Sequence, residues 1–144
     1  MADLLDEQHA RAGLDLLEAY PGLGAARVFD GRVPEDSNGR SPEPPWVLVY
    51  TVVEWTKDGI GTALNSTQVT VTTTFYCHCA GVTAAAARAV GMLVRSALLN
   101  VRPVIAGRSC SPIKQLETVP PQRDETTGRL VMDATSVYTF TSTG

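Results

Sequence analysis

The stretch TQVTVTTTFYCHC, residues 67–79, alternates along its whole length. Val69, Val71, Thr73, Phe75, Cys77 and Cys79 face one way, and Gln68, Thr70, Thr72, Thr74, Tyr76 and His78 face the other. A side-chain period of two is that of a β-strand, and the β-branched and aromatic content agrees; at ~3.3 Å per residue the strand is roughly 40 Å long. One of its faces needs a covering layer. The sequence on either side supplies both that layer and partner strands.

Downstream, Thr83 is a suitable cap for a helix that opens with the strongly helical run Ala84–Ala89 and continues to about Asn100, before Pro103. Ala86, Val90, Leu93 and Ala97 form its expected core stripe, small enough to lie close against a sheet. Arg88 and Arg95, seven residues apart, share the opposite face with Met92 and Leu99, so that face is both basic and apolar. Upstream, WVLVYTVVEW (46–55) is apolar on both faces, as expected of a central or doubly covered strand with Glu54 partly buried. Lys57–Gly61 reads as the turn joining it to the long strand. DGIGTALNS (58–66) resembles a phosphate loop but lacks the lysine and precedes a strand, so a hairpin turn is preferred.

Further out, Leu5, His9, Ala12, Leu16 and Tyr20 fall on one stripe of a helix from about Ala2 to Ala19, stopped by Pro21-Gly22. Ala26–Phe29 reads as a short strand and Asp30-Gly31 as a turn. PEDSNGRSPEPP (34–45), with four prolines, reads as an exposed loop. Residues 103–112 read as loop. Ile113–Val119 and Leu130–Thr141 then make a hairpin joined by PPQRDETTG. The expected architecture is a single α+β domain over residues 1–144, an antiparallel β-sheet with two helices packed on one face.

Composition bounds the function. The chain has 144 residues, 44% hydrophobic and 19% charged, where about 25% charged is usual. A surface short of charge suits a subunit covered by others, and a Thr-rich surface would give the same figure. The formal charge of -3 and a pI near 5.3 argue against a strongly basic nucleic-acid binder. No run reaches the ~18 apolar residues of a membrane span, and the start MADLLDEQHARAG is acidic, so residence in the cytosol is expected. Three cysteines, Cys77, Cys79 and Cys110, form no disulfide framework and read as free buried thiols.

Catalytic chemistry is hard to assemble from these residues. Cys77-His78-Cys79 holds zinc-type ligands, but a strand points His78 away from both cysteines, so core cysteines are the preferred reading and no metal or cofactor is expected. His9 and His78 are the only imidazole bases, and His9 reads as a packed or rim residue. The acid pairs Glu35/Asp36 and Asp124/Glu125 lie in loops without the apolar surroundings that raise a carboxyl pKa. No P-loop or dinucleotide fingerprint is present. A small ligand-binding domain and a Cys/His hydrolase remain as readings of another class; a deep apolar pocket would favour the first and loss of activity on a single Cys or His substitution the second.

Charge, by contrast, is organised. Between Asp58 and Glu117 there is no acidic residue, whereas Arg88, Arg95, Arg102, Arg108 and Lys114 all lie there. Such polarity lets the basic region of one copy meet the acidic region of another, which favours a ring or other oligomer, although a solvated helix face would look the same. Four arginines without a dense stripe are weak support for DNA contact.

The order LLEAYPGLGAARVFDGRVPE (16–35), proline-rich loop, WVLVYTVVEW, TQVTVTTTFYCHCAG (67–81) and TAAAARAVGMLVRSALL (83–99) resembles small tail-completion proteins of tailed bacteriophages, the tail terminators above all. The likeness covers about residues 14–100; the tip 120–128 and Cys-His-Cys have no counterpart in it. It implies a structural virion protein, not an enzyme. Such a subunit forms a hexameric ring on the head-proximal end of the tail tube, stops tube polymerisation and offers a surface for head joining. It also implies tail tube protein and a head–tail connector or neck protein as partners, DNA passing through the lumen without sequence-specific binding, assembly in the bacterial cytoplasm, and no cofactor. A neck or head-completion protein is the alternative. On this reading Arg88, Met92, Arg95 and Leu99 are the expected subunit interface. Loops 34–45 and 120–128, with Glu35, Asp36, Arg40, Arg123, Asp124 and Glu125, are the expected projecting contacts to tube or connector.

Overall fold

The computed structural model describes residues 2–57, 69–126 and 128–144. The expected turn at 57–61, the segment 58–66 and the first two residues of the alternating stretch therefore lie outside the described residues, Lys57 excepted. The elements are α1 (Ala2–Ala19), β1 (Val28–Asp30), β2 (Trp46–Lys57), β3 (Val69–Gly81), α2 (Ala84–Leu98), β4 (Ser109–Cys110), β5 (Lys114–Asp124) and β6 (Val131–Thr143), with a 3-10 turn over Ala25–Arg27. The class is α+β, as expected. The sheet runs β1-β2-β3-β6, with both β4 and β5 on the far side of β6. It is mixed rather than purely antiparallel, because β1 pairs parallel to β2 over only three residues.

The alternation of β3 sorts the two faces. Phe75, Cys77 and Cys79 point to the helix side and join Val47 and Val49 of β2, Tyr138 and Phe140 of β6, and Leu14 and Leu17 of α1 in the main core; Val71, on the same face of β3, is fully buried too. The helices present different stripes from those expected. In α1 the buried residues are His9, Gly13, Leu14 and Leu17, while Leu5, Ala12, Leu16 and Tyr20 are only half-buried. Gly13 explains the rotation: a Cβ there would strike the Phe75 ring, so the helix lies on β3 along a residue with no side chain. In α2 the buried stripe is Ala87, Val90, Val94, Ala97 and Leu98, with Ala86 and Leu93 at its margin. Thr83 caps α2 as expected, its Oγ1 accepting from the Ala86 N–H at 3.1 Å.

The opposite face is covered at one end only. Val33, Trp46, Leu48, Ala80 and Val131 make a second, smaller core with Phe29 beside it. Beyond them Tyr50 (45% exposed), Val52 (41%) and Tyr76 (40%) open to solvent, and Glu54 is exposed rather than partly buried. Double coverage of β2 thus ends about halfway along.

The C-terminal hairpin corrects the sequence reading most. Pro120–Asp124 belongs to β5, so the expected loop 120–128 shrinks to a turn after Asp124, within which Thr127 lies outside the described residues. Proline is tolerated because β5 is an edge strand and the register slips between Gln115 and Glu117 and again between Val119 and Gln122. Residues 109–110, expected as loop, pair briefly with β6 as β4.

Candidate assembly surfaces

On the outer side of α2, Arg88, Met92 and Arg95 form one wall of a groove of about 410 Å³ whose other wall is β5, with Thr118, Val119 and Pro120. The spacing of four and three residues brings the α2 side chains to one face, and the slips in β5 open the groove beside them. Met92 is 67% exposed, and Arg88 and Arg95 are exposed and without a charged partner among the described residues. Among the described residues, no carboxylate lines the groove. Leu99 does not belong to it: this residue closes α2, its N–H donating to the Arg95 carbonyl, and is half-buried.

The other bases of the acid-free stretch serve different ends. Arg102 donates to the Cys110 carbonyl at 2.7 Å. Arg108 donates to Ser142 Oγ at 2.8 Å and to the carbonyls of Val69 and Ser142, tying β3 to β6. They are structural staples, which leaves Arg88 and Arg95 as the free cations of this face among the described residues, with exposed Lys114 on β5.

The two expected contact loops meet. In the first, Asp36 Oδ1 accepts from the N–H groups of Asn38 (2.8 Å) and Arg40 (3.0 Å), which closes a tight turn and pulls its carboxyl below the usual range. Gly128 fits directly against the Gly39 carbonyl of that turn. Arg129 Nε donates to the Ser41 carbonyl at 3.1 Å, and its Nη1 lies 3.7 Å from Glu43. Glu35, Asp36, Arg40, Arg123, Asp124 and Glu125 therefore sit at one end of the molecule, and the loops brace each other instead of projecting as separate arms. Arg123 pairs with Glu125 at 3.1 Å, and Asp124 accepts from Thr126.

Beside these loops, on the face away from the helices, a cavity of about 310 Å³ is lined by Arg32, Glu35, Tyr50, His78, Asp124 and Asp133 among others. His78 Nδ1 donates to Asp133 Oδ2 at 2.8 Å, which raises the imidazole pKa, and Tyr50 packs edge-on at 5.5 Å. Sequence reasoning missed Asp133 and Tyr50 as partners of His78. Cys77 and Cys79 lie on the other face, fully buried; burial pushes the Cys77 thiol well up and that of Cys79 to about 12. Neither thiol can reach His78, which confirms the opposed geometry expected of a strand. No His/Cys/Asp/Glu group able to hold a metal occurs among the described residues. His9 is packed, as expected: Nδ1 donates to the Leu5 carbonyl at 2.7 Å, Nε2 accepts from Ser142 Oγ at 2.6 Å, and the ring stacks on Phe140. No described helix is long and apolar enough to cross a membrane.

No family model matches the sequence, and no curated protein matches it. Among solved structures, the fold is shared with a chain from the virion of a native gene transfer agent (GTA) particle, at a TM-score of 0.66 and 20% identity, over 94% of each chain.

Proposed function

We propose that this chain is a structural subunit of a phage-like virion, acting as a tail terminator. A hexameric ring of copies would cap the head-proximal end of the tail tube, end its polymerisation and offer the head–tail connector a docking surface. The carrying observation is that the whole fold, not a fragment, is shared with a chain of a GTA virion. The resemblance of about residues 14–100 to tail-completion proteins supports it from the sequence side. So does the basic, apolar α2 face, which has a subunit interface's mixture of an exposed methionine and unpaired arginines.

In this function the protein works by shape. Arg88, Met92 and Arg95 contribute to the contact between neighbouring copies. The braced end carrying Glu35, Asp36, Arg40, Arg123, Asp124 and Glu125 contacts tube or connector as one surface. DNA passes through the lumen without sequence-specific contact, and no cofactor or bond-making step is involved. The subunit is assembled in the bacterial cytoplasm and ends in the tail or neck of the particle.

The test is to add purified protein to tail tubes lacking a terminator and image them by electron microscopy. A ring on one end of each tube, with elongation stopped, is the expected result. Binding to isolated heads instead would replace this reading with a neck connector. Binding to neither would overturn both.

A further inference from the structure

We infer that neighbouring copies join head to tail, the α2–β5 groove of one receiving an acidic notch on the opposite edge of the next. This rests on the ring reading and names the surface that the basic face meets. The notch is a concavity of about 630 Å³ between α1 and the uncovered part of β2, lined by Asp6, Glu7, Asp30, Tyr50, Thr51 and Val52 among others, with no cation among the described residues of its wall.

The sheet order places these two concavities at opposite lateral ends. β1 and β2 form one end, beneath α1; β5 forms the other, beside α2. The helices divide the charge in the same sense. α1 carries five acids and one arginine, Arg11, which is spent on Asp15 and Glu18. The charged residues of α2 are Arg88 and Arg95 alone. Notch against notch sets carboxylate against carboxylate, and groove against groove sets arginine against arginine, so a two-fold pairing through either surface is repulsive. Notch against groove is attractive and leaves the joined pair with one free groove on one copy and one free notch on the other. That is the arrangement a closed ring requires.

Apolar and backbone groups agree with this pairing. Tyr50 and Val52 are exposed beside the notch, and Met92, Val119 and Pro120 line the groove, so burying one in the other removes apolar surface on both sides. Gly31 N–H donates to the Val49 carbonyl at 2.8 Å, so the polar backbone groups of Val49 face the edge of the sheet. By the two-residue alternation those of Thr51 and Val53 face it too, where β1 has ended. An open edge of this kind is a liability unless something covers it. Gln115 and Thr118, at the groove rim on β5, supply donors and acceptors that can do so. The β5 edge, broken by two register slips and two prolines, is protected against strand pairing of its own.

The test uses two variants of the full chain, Arg88→Glu/Arg95→Glu and Glu7→Arg/Asp30→Arg, with sedimentation velocity as the readout. None of the four residues is buried, and melting curves like that of wild type check the fold. Wild type is expected as a ring, each variant alone as a monomer, and an equal mixture of the two as rings again, because every reversed groove then meets a reversed notch. Rings formed by both variants alone would overturn the pairing and leave the ring reading in place. Variants that lose the ring but do not recover it on mixing, or in the quadruple variant, would also overturn the pairing. A wild type that stays monomeric, in solution and on tube ends, would overturn the ring reading and the pairing with it.

Discussion

His78 Nδ1 donates to Asp133 Oδ2 at 2.8 Å, although the two are not opposite each other in the β3–β6 ladder: His78 faces Thr135, and Asp133 faces Ala80. The contact is a diagonal one, made on the face away from the helices. Because the carboxylate raises the folded-state pKa of His78 above its ordinary 6.5, the pair's stabilisation is fully present below about pH 6.5 and is lost as pH rises through the raised value. Asp133→Asn should lower the His78 pKa in an NMR titration. It should also cost no more than about 1 kcal/mol, since the pair is partly solvated. Equal pKa values in wild type and variant would refute this.

His9 acts with the opposite sign. Burial lowers its folded-state pKa, so the neutral ring that stacks on Phe140 must be charged at low pH, and stability falls as pH drops below about 6.5. Melting of the Asp133→Asn protein, which keeps His9 and loses the opposing pair, should therefore fall more steeply on acidification from about pH 7 to pH 5 than melting of wild type.

How much of this was legible in the sequence follows from how local each signal is. The bounds of α1, the Thr83 cap and the two faces of β3 are set by neighbours a few residues apart, and the sequence displays them. The buried stripe of α1 is not, because leucines at 4, 5, 14, 16 and 17 leave no single apolar face, and the choice falls to Gly13, whose missing side chain admits Phe75. Pro120-Pro121 gives a turn signal in any sequence, and only the edge position of β5 makes it strand. Of the candidate interface, Arg88, Met92 and Arg95 share a helical face and could be read together. Their groove could not, since it needs β5, and neither could the bracing of loop 34–45 by Gly128 and Arg129.

Thr73 lies in the middle of β3 with its side chain toward the helices, fully buried, and its Oγ1 has no hydrogen-bond partner among the described residues. A buried hydroxyl that satisfies nothing keeps its desolvation cost without return. Thr73→Val, which removes it at nearly constant shape in a strand that favours valine, should stabilise the fold by about 1 kcal/mol. A lower urea midpoint than wild type would count against that.

The three cysteines should be silent in the folded protein. Cys77 and Cys79 are inaccessible and their thiols are held protonated by burial, while Cys110 is also buried and shifted upward. Since the thiolate is the reactive species, an aromatic disulfide reagent should titrate three thiols in denaturant and essentially none in native buffer. Rapid native reaction would show that one of these sites opens.

The junction of β3 and α2 gives the sharpest stability prediction. Gly81 ends β3 directly beneath the first turn of α2, and a Cβ there would meet the Ala87 N atom and lie 2.5 Å from the Ala86 carbonyl carbon. These are backbone atoms of a helix, so no side-chain rotation can relieve the clash. Its φ is not in the left-handed region, so conformational strain is not the reason for glycine here; space is. The whole helix would have to lift from β3, drawing Ala87, Val90 and Val94 out of the core they share with Cys77 and Cys79. Gly81→Ala should therefore cost about 3 kcal/mol, the upper end for overpacking, whereas Gly91→Ala, half-buried on the groove side of the same helix but with open space around an added Cβ, should gain up to about 1 kcal/mol through helix propensity. Thermal melts of the two variants read the contrast directly, and equal melting temperatures would mean that α2 does not sit on β3 as closely as described.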